Sequence, residues 1–386
     1  MNPYDIGPII KRIVGKVPGV TDIIFSPGNV PKALMDGNLK EIPLKDLRTF
    51  TEYQTEILGL SLLRHRPGAL KTFKHTGLAT LSYSVESLAH FRVQVFRQRN
   101  SISVIMRAIP CHLPTFESLG LPKTFVELTG LNHGLVLFAG PVGSGKTRSM
   151  AATLNYLTQT YSFHMITLED PIELYFGNTP SLVHQREVGL DTADLTQGIR
   201  EICHLSPQIM VVGELTEPSN MEAAVAAAES GILVFATLNA TDAACVIDRF
   251  SSSVEPEKAK GQRARLASVL RFVVSQRLLP RATGIGRVPA VEFLRVNEVV
   301  ATMIREGDCS RQRLVGVLNA ATAEGMTSFS NEARRLVQVG VVDGETAFRI
   351  LGQYQVPTIA PKEPEARNQQ APMLELDNSL SLDINP

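Results

Sequence analysis

The sequence has no long hydrophobic run and no cysteine pattern that would hold a metal ion. No apolar stretch approaches the roughly 20 residues that a membrane-spanning helix needs, and the N-terminal sequence MNPYDIGPIIKRIV does not have the form of a signal peptide. The cysteines are scattered, without a C-x-x-C pair; they are Cys111, Cys203, Cys245 and Cys309. This spacing argues against a zinc knuckle and a disulfide framework, and it fits a reducing cytosol. We therefore expect a cytoplasmic protein with no direct membrane span.

The chain also lacks an excess of charge of either sign. Its 38 lysines and arginines balance 38 aspartates and glutamates, so the formal net charge is zero. No global field would draw such a chain to nucleic acid or to anionic lipid, and we expect no nucleic-acid partner. The length of 386 residues exceeds that of a single typical core, and the 44% of hydrophobic residues suits a folded protein. Two domains with additional segments are the expectation from length.

What the sequence does contain is a glycine-rich loop of a specific kind. Residues 140–147 read GPVGSGKT and fit G-x-x-x-x-G-K-[ST], the phosphate-binding loop. The glycines let successive backbone N–H groups turn inward and form an anion-binding nest. Lys146 would reach the β- and γ-phosphates of a nucleotide, and the Thr147 hydroxyl would take one Mg²⁺ position. A glycine-rich turn that binds nothing has no need for Lys-Thr at its end.

The flanking sequence favours a nucleotide site over a simple turn. Before the loop, Gly134–Ala139 (GLVLFA) is an unbroken apolar run, typical of a strand buried on both faces of a parallel sheet. After the loop, RSMAATLNYLTQT is rich in helix formers, with Met150, Leu154 and Leu157 at helical spacing. The predicted order is strand, glycine loop, helix, and the helix adds its positive N-terminal end to the site.

Three more apolar runs follow, and each ends at polar residues: 165–168, 209–212 and 233–237. If these runs are strands parallel to the first, their carboxyl ends share the edge where open α/β sheets bind ligands. The polar residues expected to gather there are Glu169, Asp170, Glu173, Glu214 and Thr237. Phosphoryl transfer needs a carboxylate that orients or deprotonates water and a metal that neutralises charge. Glu173 and Glu214 are both competent, and the pattern alone does not say which holds Mg²⁺.

The first part of the chain, residues 1–110, reads as a separate α+β module. It contains a short strand at 21–25 and a hairpin around Asp36-Gly37-Asn38. A second hairpin is predicted within 90–110, with its turn at 97–100 (RQRN). The arginines of this hairpin form either a solvated face or a contact to a neighbouring nucleotide.

The remaining segments divide by composition. Residues 111–122 read as a linker, and residues 123–305 hold the nucleotide-binding α/β core. Residues 306–355 are predicted to be helical, with Gly340 and Gly344 as breaks. The segment 356–386 is rich in Pro, Gln and acid with little to bury, so we expect a disordered tail.

Taken in order, these motifs resemble those of the type IV pilus retraction ATPases, the PilT/PilU group of the secretion ATPase superfamily. The resemblance covers about residues 4–354. GLVLFAGPVGSGKT is similar to the family's Walker A motif, and PQIMVVGEL at 207–215 to its Walker B motif. ITLEDPIEL at 166–174 resembles the Asp box, and HQREVGLDT at 184–192 the stretch that follows it. The C-terminal signatures are matched by 275–294 (SQRLLPRATGIGRVPAVEFL) and 324–329 (EGMTSF).

The resemblance implies a homohexameric ring, pure or mixed with a paralogue, with a PAS-like N-terminal domain on a RecA-like P-loop core. In this family ATP binds between subunits, and its Mg²⁺-dependent hydrolysis removes pilin from the fibre, so the motor would act on the cytoplasmic side of the inner membrane beside a pilus platform protein. By motif match, Glu173 is the general base and Glu214 the Walker B carboxylate that holds Mg²⁺ with Thr147. Arg92 and Arg107 would reach the γ-phosphate. The implied nucleotide contacts are Gly140, Pro141, Val142, Gly143, Ser144, Gly145, Lys146, Thr147 and Arg148.

The chain departs from the family at two places. In 226–239, which matches the family's His box, Ile232 and Asn239 replace two histidines. After the Walker B glutamate the family has Met-Arg-Asp, whereas 215–217 read LTE with Thr216 at the centre. Isoleucine cannot neutralise charge near a γ-phosphate, and asparagine can hydrogen-bond but cannot become cationic. Losing such a partner commonly reduces a rate on the order of 10²-fold. We expect intact nucleotide binding with slow or differently coupled hydrolysis.

Two functions from different classes follow. The first is an ATP-hydrolysing hexameric motor that powers pilus retraction and twitching motility. The second is a nucleotide-binding regulatory paralogue that joins the pilus motor complex without being its main hydrolase. A pilus-extension or secretion ATPase ranks lower, because those proteins often carry a four-cysteine metal module and longer N-terminal domains. A nucleic-acid translocase ranks lower again, because no basic, aromatic strand-binding signal is present.

Overall fold

The structure is a computed structural model that describes residues 7–16, 22–35, 38–42, 49–64, 66–85, 89–109, 113–177, 179–255 and 257–352. The expected disordered tail at 356–386 lies outside these residues, as do Cys111 and positions 36 and 37 of the first predicted hairpin turn. None of the helices in the described ranges combines the length and the apolar character that a bilayer crossing requires.

The strands are β1 (Asp22–Phe25), β2 (Lys32–Met35), β3 (Asn38–Glu41), β4 (Leu78–Val85), β5 (Ala89–Gln98), β6 (Ser101–Ile109), β7 (Gly134–Ala139), β8 (His164–Glu169), β9 (Leu182–Glu187), β10 (Ile209–Glu214), β11 (Leu233–Leu238), β12 (Leu270–Pro280) and β13 (Arg287–Arg295).

The helices are α1 (Gly7–Lys16), α2 (Glu52–Leu63), α3 (Pro67–Thr76), α4 (Phe116–Leu119), α5 (Lys146–Thr160), α6 (Leu195–Cys203), α7 (Pro218–Glu229), α8 (Ala243–Ser252), α9 (Ala259–Val269), α10 (Glu298–Glu306), α11 (Arg311–Ala320), α12 (Phe329–Gln338) and α13 (Gly344–Leu351), with 3-10 helices at Lys123–Gly130 and Thr322–Glu324.

The N-terminal strands form an antiparallel sheet in the order β3-β2-β1-β6-β5-β4. Helices α1, α2 and α3 pack on it through a core that includes Ile10, Leu58 and Phe73. The β5–β6 turn has two residues, Arg99 and Asn100, both with positive φ (45° and 61°), as the tight turn that matches the twist of a hairpin requires. The four-residue turn predicted at 97–100 was therefore too long, because both strands continue to the tight turn.

The second sheet has the order β13-β12-β7-β11-β10-β8-β9. Its neighbours run parallel except for the antiparallel β12–β13 pair. The four apolar runs predicted as parallel strands are β7, β8, β10 and β11, and all residues of β7 and β11 are buried. Three strands of this sheet, β9, β12 and β13, were not predicted, and neither was β4 of the first sheet. The first sheet with its helices is the predicted α+β part, and the second sheet with its helices is the predicted α/β part.

Helices cover both faces of the second sheet. Helix α5 and the 3-10 helix at Lys123–Gly130 lie on one face, around Phe138 and Phe235. Helices α6 to α11 cover the other face. Helices α12 and α13 pack on the outer end of the β12–β13 hairpin. Gly344 was predicted as a break but is the first residue of α13, where Asp343 caps the helix.

The predicted linker at 111–122 contains the short helix α4, which packs against the C-terminal part of α5. The ring of Phe116 stacks on that of Tyr156, with centroids 5.5 Å apart. The Asn155 amide donates to the carbonyl oxygen of Pro114 at 3.0 Å. The connection between the two sheets is therefore anchored on the helix that begins at the phosphate loop.

Candidate functional site

The glycine loop lies between the end of β7 and the beginning of α5, in the predicted order. A Cβ on Gly140 would come within 2.7 Å of the backbone carbonyl oxygen of Gln276, so no side chain fits at this position. Gly145 has φ +86°, and a Cβ there would lie 2.7 Å from Nε2 of Gln276. The tip of the loop at Val142 is exposed to solvent, and Lys146 is buried at the first position of α5. The loop therefore packs closely against the backbone and the side chain of Gln276 on β12.

Gln276, on β12, holds the loop from behind. Its Nε2 donates to the carbonyl oxygen of Ser144, and its Oε1 accepts from the Ser149 hydroxyl, both at 2.7 Å. The side chain is 2% exposed. One buried amide therefore joins the loop to the first turn of α5, and sequence reasoning missed it because β12 was not predicted as a strand.

A cavity of about 980 Å³ opens beside the loop at the carboxyl ends of the parallel strands. The sequence-predicted side chains that line it are Thr147, Glu169, Asp170, Glu173, Glu214 and Thr237. Thr216, from the motif that departs from the family, lines it as well, while Lys146 does not. The structure therefore brings together the end of the phosphate loop and both candidate catalytic carboxylates.

Glu214 is the last residue of β10, and its backbone is fixed by the neighbouring strand. The register between β10 and β11 shifts at Val212 and Glu214. The Thr237 hydroxyl donates to the carbonyl oxygen of Gly213 at 2.6 Å, and the Leu215 N–H donates to the carbonyl oxygen of Thr237 at 2.9 Å. This irregularity re-aims the end of the strand, a usual function of bulges beside ligand sites.

The second carboxylate lies on the acidic segment, residues 170–176, which follows β8. Its position is set by Glu169, whose Oε2 accepts from the Glu173 N–H at 3.3 Å and whose Oε1 accepts from the Thr167 hydroxyl at 2.7 Å. Gln185 on β9 donates to Glu169 at 3.2 Å and to the carbonyl oxygen of Leu174 at 2.8 Å. Burial raises the pKa of Glu169, and these hydrogen bonds oppose the rise. Glu173 itself is exposed to the cavity.

The arginines of the second hairpin lie in one row across the first sheet. Ser82, Arg92, Arg107 and Asp22 are direct partners on β4, β5, β6 and β1. Arg92 Nη2 lies 3.4 Å from Glu173 Oε1, whereas Arg107 Nε lies 2.8 Å from Asp22 Oδ1. Neither arginine lines the cavity. The structure therefore joins Arg92 to the acidic segment and places Arg107 on a carboxylate of its own sheet.

The two positions that lack the family's histidines lie at opposite ends of strand β11. Asn239 directly follows β11, at the end that lies beside the phosphate loop, and is exposed. Ile232 precedes β11, is buried in the apolar core, and its carbonyl oxygen accepts from the Gly134 N–H at the start of β7. Within one chain, the whole length of β11 therefore separates Ile232 from the phosphate loop, and the effect of the two replacements on hydrolysis stays a prediction.

The oxygen donors at this site fit a magnesium ion. Thr147 and Glu214 line the same cavity and would offer one hydroxyl and one carboxylate. Among the described residues there is no cluster of three or more His, Cys, Asp or Glu that could cage a metal by itself. Mg²⁺ is usually held by one or two protein oxygens together with waters and substrate phosphates, rather than by a cage of side chains.

Comparison with known proteins decides the family. The model of the family described as "Type II/IV secretion system protein" matches residues 80–352. The chain belongs to this family. It is 32% identical over 329 residues to the type IV pilus retraction ATPase PilT of Pseudomonas aeruginosa, an alignment that covers 85% of this chain and 93% of that protein. It is 30% identical to the type IV pilus ATPase PilU of the same organism, over 88% of this chain and 87% of that one.

A solved structure of the secretion family agrees with the fold. The crystal structure of the pilus retraction motor PilT with bound ADP superposes with a TM-score of 0.77 at 33% identity, covering 89% of this chain and 96% of that one. The predicted membership of the retraction-ATPase group, the RecA-like fold class and the assignment as an ATPase are thereby confirmed. Nucleotide binding follows from membership of this family.

Proposed function

We propose that the chain is an ATP-hydrolysing motor of the type IV pilus system that powers pilus retraction. The observation that carries the proposal is the cavity, in which Thr147 at the end of the phosphate loop meets Glu173 and Glu214. The similarity to a pilus retraction ATPase over 93% of that protein's length supports the direction of the motor. The two sheets would be a PAS-like domain at 1–110 and a RecA-like core at 123–305, joined by 111–122 and followed by the helical region 306–355.

The chemistry proposed for this site divides among a few side chains. The backbone N–H groups of residues 140–147 and the Lys146 ammonium would bind the phosphates of ATP, with Arg148 just beyond. Thr147 and Glu214 would hold Mg²⁺, which supplies charge neutralisation on the phosphate oxygens. Glu173 would accept the proton of the attacking water, since it faces the cavity and its N–H is held by Glu169.

We further propose that the working form is a homohexamer with ATP at the subunit boundary. In one chain the cavity is open, and neither Arg92 nor Arg107 lines it. The positive charge that stabilises the transferring phosphate would therefore come from an arginine brought in by movement of the first sheet, or from an arginine of a neighbouring subunit. The ring would act in the cytoplasm at the inner-membrane base of the pilus, on the platform protein there.

A second candidate is a nucleotide-binding accessory paralogue within a mixed ring. Asn239 favours it, because this position lies at the loop edge of β11 and cannot carry the positive charge of a histidine. Thr216 lies in the cavity where the family has an arginine after the Walker B methionine. Both changes remove positive charge near developing negative charge, which slows hydrolysis more than it weakens binding.

A comparison of turnover, binding and particle size separates the two candidates. ATP hydrolysis and fluorescent-ATP affinity would be measured for the wild type, Lys146→Ala and Glu214→Ala, with mass determined by light scattering with and without Mg·ATP. Glu298→Ala, which removes an exposed carboxylate on α10, is the matched control. Turnover that Glu214→Ala abolishes supports the motor. A wild type that binds ATP but hydrolyses it no faster than Glu214→Ala contradicts the motor and supports the accessory protein.

A further inference from the structure

Three contacts connect the first sheet to the acidic segment and to the end of β9 beside it. The Ser82 hydroxyl donates to Glu187 Oε2 at 2.5 Å. The rings of His90 and Tyr175 stack with centroids 3.5 Å apart and an interplanar angle of 16°. The third contact is the ion pair between Arg92 and Glu173 described above. All three begin on β4 and β5, so one end of this hairpin faces the segment that carries the proposed general base.

Glu187 is the most enclosed member of this group. It is the last residue of β9, and its side chain is 5% exposed. The same Oε2 that accepts from Ser82 also accepts from the Ile172 N–H at 3.3 Å. The Glu187 N–H in turn donates to Asp191 Oδ2 at 2.8 Å, which fixes the backbone that carries the carboxylate.

A buried carboxylate without a cation partner contributes little to the stability of a fold. Among the described residues Glu187 forms no ion pair, and its carboxyl group is held by hydrogen bonds from Ser82 and Ile172. Removing a carboxylate from water without a cation is unfavourable, and a neutral or apolar side chain of similar volume would commonly serve a core as well or better. The Glu187 carboxylate instead accepts from two donors, one on the first sheet (Ser82) and one in the acidic segment (Ile172).

Those two donors are the immediate neighbours of the Arg92–Glu173 pair. Ser82 is the direct cross-strand partner of Arg92 in the β4–β5 ladder. Ile172 precedes Glu173 in the acidic segment. Because directly opposed residues in a sheet lie about 5 Å apart, a shift of Ser82 relative to Ile172 is also a shift of Arg92 relative to Glu173. The Glu187 carboxylate is therefore one of the contacts that fix the distance between Arg92 and Glu173.

We propose that Glu187 is a positioning residue for hydrolysis, which sets Glu173 against the arginine-bearing sheet through Ile172 and Ser82. The inference rests on the proposed function, since it assigns Glu187 a role in the reaction of that site. Its contribution is to geometry and not to nucleotide affinity, because neither Glu187 nor Ser82 lines the cavity.

The decisive comparison uses the full-length chain and separates turnover from binding. Glu187→Ala removes the shared acceptor, and kcat should fall on the order of 10²-fold, as expected for a small misplacement of a reacting group. The KM for ATP and the dissociation constant of a fluorescent ATP analogue should stay at the wild-type values. Glu187→Gln keeps an acceptor oxygen, so it should restore kcat to within about 10-fold of wild type. Glu201→Ala is the matched control, because it removes the carboxylate paired with Arg186 next to Glu187 on β9.

Two further variants keep the test decisive if Glu187→Ala folds poorly. Ser82→Ala removes the donor on the first sheet and should lower kcat without changing nucleotide affinity. Arg92→Ala combined with Ser82→Ala should lower kcat by less than the product of the two single effects, because both act on one geometry. Equal kcat in wild type and Ser82→Ala, or parallel losses of affinity and kcat in Glu187→Ala, would overturn the inference. A wild type without ATP turnover would instead overturn the proposed function.

Discussion

Replacing Gln276 by leucine tests whether the phosphate loop is held in shape by the strand behind it. Leucine has a similar volume, so the change removes two hydrogen bonds and leaves little empty space. The Ser144 carbonyl and the Ser149 hydroxyl both lose a buried partner at 2.7 Å. A buried polar group left unpaired destabilises by about 1–3 kcal/mol, so the free energy of unfolding should fall by roughly 2–4 kcal/mol after allowing for rotation of the serine hydroxyl.

The effect on the nucleotide site is a separate quantity. The Ser144 carbonyl belongs to the loop whose N–H groups face the phosphates, so releasing it loosens the anion nest. We expect the dissociation constant of a fluorescent ATP analogue to rise about tenfold, equivalent to about 1.4 kcal/mol. Urea unfolding gives the stability term, and titration of the analogue at saturating Mg²⁺ gives the affinity term.

Ser149→Ala supplies the control for Gln276, because it removes only the bond at the first turn of α5. It should lower stability by about 1 kcal/mol and leave nucleotide affinity unchanged. If Gln276→Leu is destabilised but binds the analogue as tightly as wild type, Gln276 contributes only to the stability of the core and does not hold the phosphate loop in its binding shape.

Three other changes probe different parts of the structure. Gly140→Ala places a methyl group 2.7 Å from a backbone carbonyl oxygen on β12 and should abolish binding of the ATP analogue, whereas Gly130→Ala, with nothing within 4 Å, should bind it normally. Arg107→Ala leaves the buried Asp22 carboxylate without its 2.8 Å partner and should lower the free energy of unfolding by about 1–2 kcal/mol; no change in urea midpoint would refute this pairing. Burial raises the pKa of Glu292 from 4.5 to about 7, so the folded state keeps a proton that the unfolded chain releases, and the free energy of unfolding should fall by roughly 3 kcal/mol as pH rises from about 4.5 to about 7. Glu292→Gln should flatten that slope in urea titrations across pH, and an unchanged slope would show that another group is responsible.

The four parallel strands predicted in the second sheet have a local sequence signal that β9 lacks. Runs such as GLVLFA are continuous because both faces of a central parallel strand are buried, and that signal is local. Strand β9 (LVHQRE) lies at the edge of the sheet and is mostly polar, so its sequence resembles a loop. Its side chains nevertheless position the site, since Gln185 and Glu187 both hold the acidic segment.

Contacts across the two sheets could not be predicted for a different reason. The glycine loop, Glu173 and Glu214 were found because each follows an apolar run and the carboxyl ends of parallel strands meet at one edge. The pairing of Arg92 with Glu173, and of Arg107 with Asp22, depends on how the first sheet packs against the second. No periodicity in either segment contains that information, so sequence reasoning treated the two arginines alike although the structure separates them.

Helix α5 connects the phosphate loop to α4, the short helix in the segment between the two sheets. It has 15 residues and is therefore about 22 Å long, with the phosphate loop at its first residue and the stacked rings of Phe116 and Tyr156 near its last turn. Along the sequence, α4 lies between this helix and the last strand of the N-terminal sheet, β6. If the N-terminal sheet moves during hydrolysis, as the proposed motor requires, the α4 contact at the far end of α5 keeps a fixed distance from the phosphate loop, because both lie on one helix.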